Sequence, residues 1–189
     1  MLFHSAQGLR RDVRLWTESL RAAGHQVYTP DLFEGATFEQ LEDGIAHRDQ
    51  IGIPVLMRRA AAALEELPAQ LVYGGFSMGA ATAEYYAATR DGARGAVLMH
   101  SVAPLKTFGV ETWPNGLPVQ LHYAVGDPLL GDRRDVDALR VLAAAAGART
   151  VVYEYPGAGH LFADPDGPDY DPTLADEMLQ RQLSFLEVA

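Results

Sequence analysis

Short apolar runs rich in β-branched and aromatic residues alternate along this chain with longer stretches of helical periodicity, which restricts the fold to βαβ units around a mainly parallel sheet. Candidate strands are Leu2 to His4, Gln26 to Thr29, Gln70 to Gly74, Gly95 to His100, Val119 to Val125 and Thr150 to Tyr155. Leu71-Val72-Tyr73 and Ala96-Val97-Leu98-Met99 are continuously apolar, as strands covered on both faces must be. The class is therefore α/β, with about six strands.

The intervening helices carry end signals as well as periodicity. Val13, Trp16 and Leu20 share a face, and Gly24 closes their helix. Thr37 with Gln40 reads as a capping box for a helix running to about Gln50, and Pro54 opens another that ends near Pro68. Val136, Leu139 and Ala143 mark a helix closed by Gly147. In the last one Asp171 caps, Pro172 suits the first turn, and Ala175, Met178, Leu179, Leu183 and Leu186 form the stripe that packs on the sheet. No repeat or linker interrupts the pattern, so residues 1–189 are expected to form one domain.

Charge and composition narrow the function. A net charge of −10 without a basic stripe argues against a nucleic-acid partner. No stretch approaches the ~20 apolar residues of a membrane span and the N-terminus lacks a signal pattern, so a cytoplasmic protein is expected, as a monomer or homodimer. With no cysteine the chain has neither a thiol nucleophile nor a thiolate metal site. His160 and Asp164 with Asp166, Asp169 and Asp171 fit no EF-hand spacing, and no metal or cofactor is expected.

Gly74-Gly75-Phe76-Ser77-Met78-Gly79-Ala80-Ala81 lies between a strand and a helical run that reaches about Ala88. This is G-x-S-x-G in the strand–turn–helix context that exposes a nucleophilic serine, with glycines two residues before and after it where side chains would clash. A serine hydroxyl needs a base to take its proton, and the base needs a carboxylate to hold its tautomer. In this context the acid and then the base follow the serine along the chain. Asp127, just past a strand end, is the candidate acid, with Asp132 and Asp135 as rivals. His160, shortly after the next strand, is the candidate base; His4, His25, His47, His100 and His122 all precede the acid. The Met78 N–H and one from His4-Ser5-Ala6-Gln7-Gly8-Leu9, chosen as that of Ala6, are the expected oxyanion donors.

Two long loops, Ser101 to Pro118 and Pro156 to Pro172, leave strand ends where open α/β sheets bind ligands. Gln7 of the first loop, with Phe108 and Trp113, is expected to line the substrate pocket. Lys106, Arg48 and Arg58 are the basic residues available to a substrate carboxylate.

These segments together resemble the dienelactone hydrolase family over nearly the whole chain: His4 to Leu9, Thr29-Pro30-Asp31-Leu32, the elbow at Ser77, Gly126-Asp127 and Tyr155-Pro156-Gly157-Ala158-Gly159-His160. The resemblance implies a three-layer α/β-hydrolase sandwich without a large cap domain, the triad Ser77, Asp127 and His160, and cofactor-free hydrolysis of lactones or small esters. The best-known members carry cysteine at the elbow and an acidic residue in the first loop, where this chain has Ser77 and Ser5. The chain begins almost on its first core strand, so a smaller sheet is expected. The functional expectation is hydrolysis of carboxylic esters or lactones through a serine acyl-enzyme. The alternatives are a thioesterase or acyltransferase with the same serine, and a binding protein that keeps the fold without turnover.

Overall fold

The computed structural model describes residues 1–130 and 133–189. Five strands, β1 (Leu2–Phe3), β2 (Val72–Phe76), β3 (Gly95–Met99), β4 (Val119–Val125) and β5 (Thr150–Pro156), form one parallel sheet whose spatial order is the chain order. The register pairs Phe3 with Gly75, Gly75 with Leu98, Leu98 with Leu121, and Leu121 with Val152. Among the described residues six helices pack around it: α1 (Arg11–Ala22), α2 (Leu41–Ile51), α3 (Ile53–Leu64), α4 (Met78–Thr89), α5 (Arg133–Ala145) and α6 (Pro172–Leu186). Among the described residues, no helix is long and apolar enough to cross a membrane.

The alternation of side chains across the strands sorts the core into two layers. Phe3, Tyr73, Leu98, Leu121 and Tyr123 pack with Leu56, Ala83 and Leu139 of α3, α4 and α5. Leu2, Val97 and Met99 pack with Trp16 of α1 and Met178 and Phe185 of α6. Helices therefore cover both faces of the sheet, as the continuously apolar strands require, in a three-layer α/β sandwich.

Three local expectations are corrected. Gln26 to Thr29 is not a strand: it touches β1 through the Leu2 N–H donating to the Tyr28 carbonyl (2.8 Å), and β1, two residues long, offers too short an edge for a ladder. Thr37 does not cap a helix, because α2 starts at Leu41 with Gln40 itself at the cap position and no side-chain capping bond. The helix opened by Pro54 ends at Leu64, short of Pro68. Asp171 does cap α6, its carboxylate accepting from the Thr173 and Leu174 N–H groups at 2.9 and 3.0 Å.

One acid lies inside this core. Glu84, on α4, is fully buried; its Oε2 accepts from the Ala103 N–H at 2.8 Å and its Oε1 has no hydrogen-bond partner. Burial, with a smaller push from Asp135, raises its pKa from 4.5 to about 8. The fold thus holds this proton more tightly than the unfolded chain does, and stability falls as pH rises from 4.5 toward 8. Glu84→Gln removes that cost, so in urea unfolding its advantage over the parent chain should grow by a few kcal/mol, on the order of 3, between about pH 5 and pH 8. An advantage independent of pH would refute this account.

Candidate active site

Ser77 joins β2 to α4 with φ 50° and ψ −113°, a left-handed conformation that costs a non-glycine residue about 1–3 kcal/mol. The turn is pinned by the Ser77 N–H donating to the Met99 carbonyl (2.7 Å) and the Ala80 N–H donating to the Ser77 carbonyl (2.9 Å). A Cβ at Gly75 would overlap the carbonyl of Gly79, as the motif implies. Gly79 is needed for a different reason: its own Cβ would strike the ends of β1, with the His4 oxygen only 2.6 Å away.

Ser77, His160 and Asp127 form one hydrogen-bonded chain. Ser77 Oγ lies 2.8 Å from His160 Nε2, and His160 Nδ1 lies 2.5 Å from Asp127 Oδ2. Donation from Nδ1 to the carboxylate leaves Nε2 as the acceptor facing the serine hydroxyl. Asp127 is itself anchored, its Oδ1 accepting from the Leu129 N–H at 2.8 Å, and both its side chain and that of His160 are buried. The pair is thus held in one geometry away from bulk water.

The rival residues are placed elsewhere. Asp135 lies in the first turn of α5, and Asp132 lies outside the described residues. His4 Nε2 accepts from the Leu32 N–H (3.0 Å), so its Nδ1 is the nitrogen that donates to the Ser5 carbonyl (2.6 Å); burial lowers its pKa. Burial likewise takes His122 down to about 3, with its Nδ1 2.8 Å from the Tyr155 hydroxyl. His100, fully buried with neither ring nitrogen partnered, packs edge-on against Phe162 with ring centres 4.7 Å apart and lies 6.1 Å from the His160 ring. Burial holds it well below its usual range too. His47 sits in an aromatic cluster with Phe33 and Phe38, and His25 lines a hollow beside Val27 and Gln70.

The loop after β1 is braced on several sides. Gln7 N–H donates to Ser5 Oγ (3.2 Å), the Gln7 carbonyl accepts from the Phe38 N–H (3.0 Å), and α2 presses so closely that a Cβ at Gly44 would overlap the Ala6 carbonyl. Among the described residues the Ala6 N–H meets no backbone carbonyl, and that of Met78, first in α4, has no intrahelical partner. Both residues, with Ser77 and His160, line a cavity of about 320 Å³.

Its remaining walls are mostly apolar. Phe108 lines it, as expected, at the end of a single 3₁₀ turn (Leu105–Phe108). Trp113 does not: it is buried in the core with its Nε1 donating to the Leu117 carbonyl (2.8 Å). The loop from β3 to β4 runs the length of the sheet, and Trp113, close before β4, belongs to the opposite end. Gln7 lines not this cavity but an adjoining one beside His160, its amide donating to the Glu39 carbonyl at 2.8 Å. Ile45, Ile53, Leu56 and Met57, from α2 and α3, form a wall that the sequence reading missed; their helical periodicity was the available signal. Of the three basic candidates only Arg48 lines the cavity, and its Nη2 is paired with Asp49 at 2.7 Å.

The acidic loop residues serve the fold: Asp164 and Asp166 pair with Arg10 and Arg11 at 3.5 and 2.8 Å, and Asp171 caps α6. Among the described residues no group of three or more histidine or carboxylate side chains is placed to hold a metal.

The sequence pattern of the dienelactone hydrolase family matches residues 1–189. Among curated proteins, no sequence matches. A dienelactone hydrolase-like promiscuous phosphotriesterase from metagenomic libraries superposes with a TM-score of 0.76 at 21% identity, over 99% of this chain and 84% of that one. A dienelactone hydrolase from Anabaena variabilis gives 0.66 at 21% identity, over 99% and 85%. A carboxylesterase from Bacillus cereus gives 0.54 at 19% identity, over 95% and 85%. At these identities the superpositions speak for the fold alone.

The contact of Gly79 with the end of β1 is backbone against backbone, which cannot yield as a side chain can. Gly79→Ala should therefore cost about 3 kcal/mol or more in urea unfolding. A loss under about 1 kcal/mol would show that α4 shifts freely.

Proposed function

The chain belongs to the dienelactone hydrolase family, and from that premise we propose that it hydrolyses carboxylic esters or lactones through an acyl-enzyme on Ser77. The observation that carries this reading is the hydrogen-bonded chain from Asp127 through His160 to Ser77 on the floor of a largely apolar cavity.

In this mechanism His160 Nε2 takes the hydroxyl proton as Ser77 Oγ attacks the ester carbonyl, and Asp127 stabilises the imidazolium while holding the ring's tautomer. The oxyanion that forms accepts from the Ala6 and Met78 N–H groups. The second lies at the N-terminus of α4, where partial positive charge favours a developing anion. The carbon–oxygen bond to the alcohol then breaks, and the proton held by His160 passes to the departing alkoxide. Water, activated by the same nitrogen, attacks the acyl carbonyl and restores the serine. No cofactor is required. The apolar wall of Ile45, Leu56, Met57 and Phe108 suits an uncharged acyl chain better than a carboxylate, since the guanidinium at its edge is already paired with Asp49.

A serine-reactive fluorophosphonate, followed by peptide mapping and a panel of esters, lactones and thioesters, tests this reading. Labelling should fall on Ser77 and vanish in Ser77→Ala; labelling elsewhere, or no turnover of any panel member, would favour a binding protein. Asp127→Asn should preserve shape but favour the wrong imidazole tautomer, lowering kcat by up to about 10⁴ with a smaller change in KM. Asp135→Asn should be nearly silent, and a larger loss there than at Asp127 would identify a different acid.

A further inference from the structure

A second cavity, of about 390 Å³, adjoins the first at His160 and Leu129, which line both. The two differ sharply in charge. The cavity at Ser77 is lined by one charged side chain apart from the histidine, Arg48. The second is lined by five carboxylate residues, Glu39, Glu42, Asp127, Asp164 and Asp169, and by no lysine or arginine. Asp127 is occupied by His160, and Asp164 has Arg10 3.5 Å away. Glu39, Glu42 and Asp169 enter no ion pair among the described residues.

The buried part of the lining points the same way. Gln7 is 4% exposed and its Oε1 has no hydrogen-bond partner, while Asp164, 3% exposed, keeps its Oδ2 3.5 Å from Arg10 Nη1. Donation from Gln7 Nε2 to the Glu39 carbonyl fixes Oε1 as the free acceptor, and Asp164 Oδ1 is used by the Asp166 N–H. A site built from carboxylates and a spare amide acceptor calls for a ligand that brings donors and positive charge.

We propose that this cavity receives the alcohol half of the substrate and selects an alcohol bearing an ammonium group; this rests on the acyl-enzyme reading above. In that reaction the alkoxide leaves by taking the proton from His160 Nε2, so its oxygen must lie within hydrogen-bond reach of that atom while the acyl–oxygen bond breaks and the acyl–Ser77 bond persists. Whatever the alkoxide carries then extends into the space that adjoins His160. With the acyl chain in the apolar cavity, the space left is the acidic one. A neutral polyol could donate to the Gln7 oxygen but gain nothing from the rim charges, whereas an ammonium group gains from both.

The test compares esters of one short fatty acid with 3-amino-1-propanol, with n-butanol and with 4-hydroxybutanoate as leaving groups. The aminopropyl ester should exceed the butyl ester by about tenfold in kcat/KM at low ionic strength, with the anionic ester slowest and the differences shrinking as salt is added. In a Glu39→Gln/Asp169→Asn double variant the cationic-to-neutral ratio should fall toward one. Equal kcat/KM for the two esters, or a ratio that survives in the double variant, would overturn the assignment even with Ser77 chemistry intact. Calorimetric binding of the same esters to Ser77→Ala separates the two readings. If no ester is turned over, the acyl-enzyme reading fails by itself, while tighter binding of the aminopropyl ester still supports the cationic subsite and equal binding overturns it.

Discussion

The backbone of α4 meets the carbonyls at the end of β1 with no room for a side chain between them, and the rest of the site inherits its position from that contact. Gly79 lies against Phe3 and His4, and Gly75 against Gly79 itself. Any added carbon would push the helix away from the sheet and relax the turn that holds Ser77 at positive φ. The strain there is outweighed by what surrounds it: two backbone hydrogen bonds at the turn, and Ala80, Ala83 and Ala87 packed without exposure against the strands. Because the helix is close, its N-terminus lies beside the loop after β1, which brings the Ala6 and Met78 backbones to one cavity.

A chain with this many buried polar groups must decide which of them carry charge. His4, His100 and His122 are all buried, and burial keeps each imidazole neutral; in His4 the accepting and donating nitrogens are further assigned by its neighbours. Glu84 is kept protonated by the same effect across most of the neutral range. His160 differs in having a carboxylate 2.5 Å from one nitrogen and a hydroxyl 2.8 Å from the other. What sets His160 apart from the packing histidines is thus its neighbours rather than its depth, since it is nearly as buried as the others.

The turn at Ser77 and its hydrogen-bonded chain with His160 and Asp127 were legible because their signals are local: a strand, a glycine-flanked turn, and residues just past strand ends. What was not legible depends on where a connection travels. Phe108 and Trp113 looked equivalent in one long loop, yet one sits soon after β3 and the other soon before β4, and parallel strands put those two places at opposite ends of the sheet. Counting from both ends of the loop would have separated them. Gln26 to Thr29 has strand composition, but pairing depends on the length of its partner, which composition does not report. The cavity wall from α2 and α3 and the acidic cavity beside His160 arise from segments distant in sequence, and no single stretch announces either.

Strand order also sets how far His160 must reach. The sheet runs β1 to β5 in chain order, so Ser77 follows β2 while His160 follows β5, three strands and about 14 Å away at ordinary strand spacing. Asp127 follows β4, next to the strand that His160 follows, and a short turn suffices to place it. His160 must instead reach back over the ends of β4 and β3. The end of β3 is where His100 lies, with φ 68°, its ring 6.1 Å from that of His160 and edge-on against Phe162, two residues beyond His160. A charged, hydrated residue at that point would draw water beneath His160; a neutral imidazole packed against Phe162 does not. The glycines at 157 and 159 serve this reach, the first with φ 76° and the second packed directly on the Asp169 side chain, so that the chain can turn at once after β5 and bring the ring back to the serine. His160 comes four residues after the end of β5, so the return toward Ser77 is made by Gly157, Ala158 and Gly159, and the residues that follow lead on to α6.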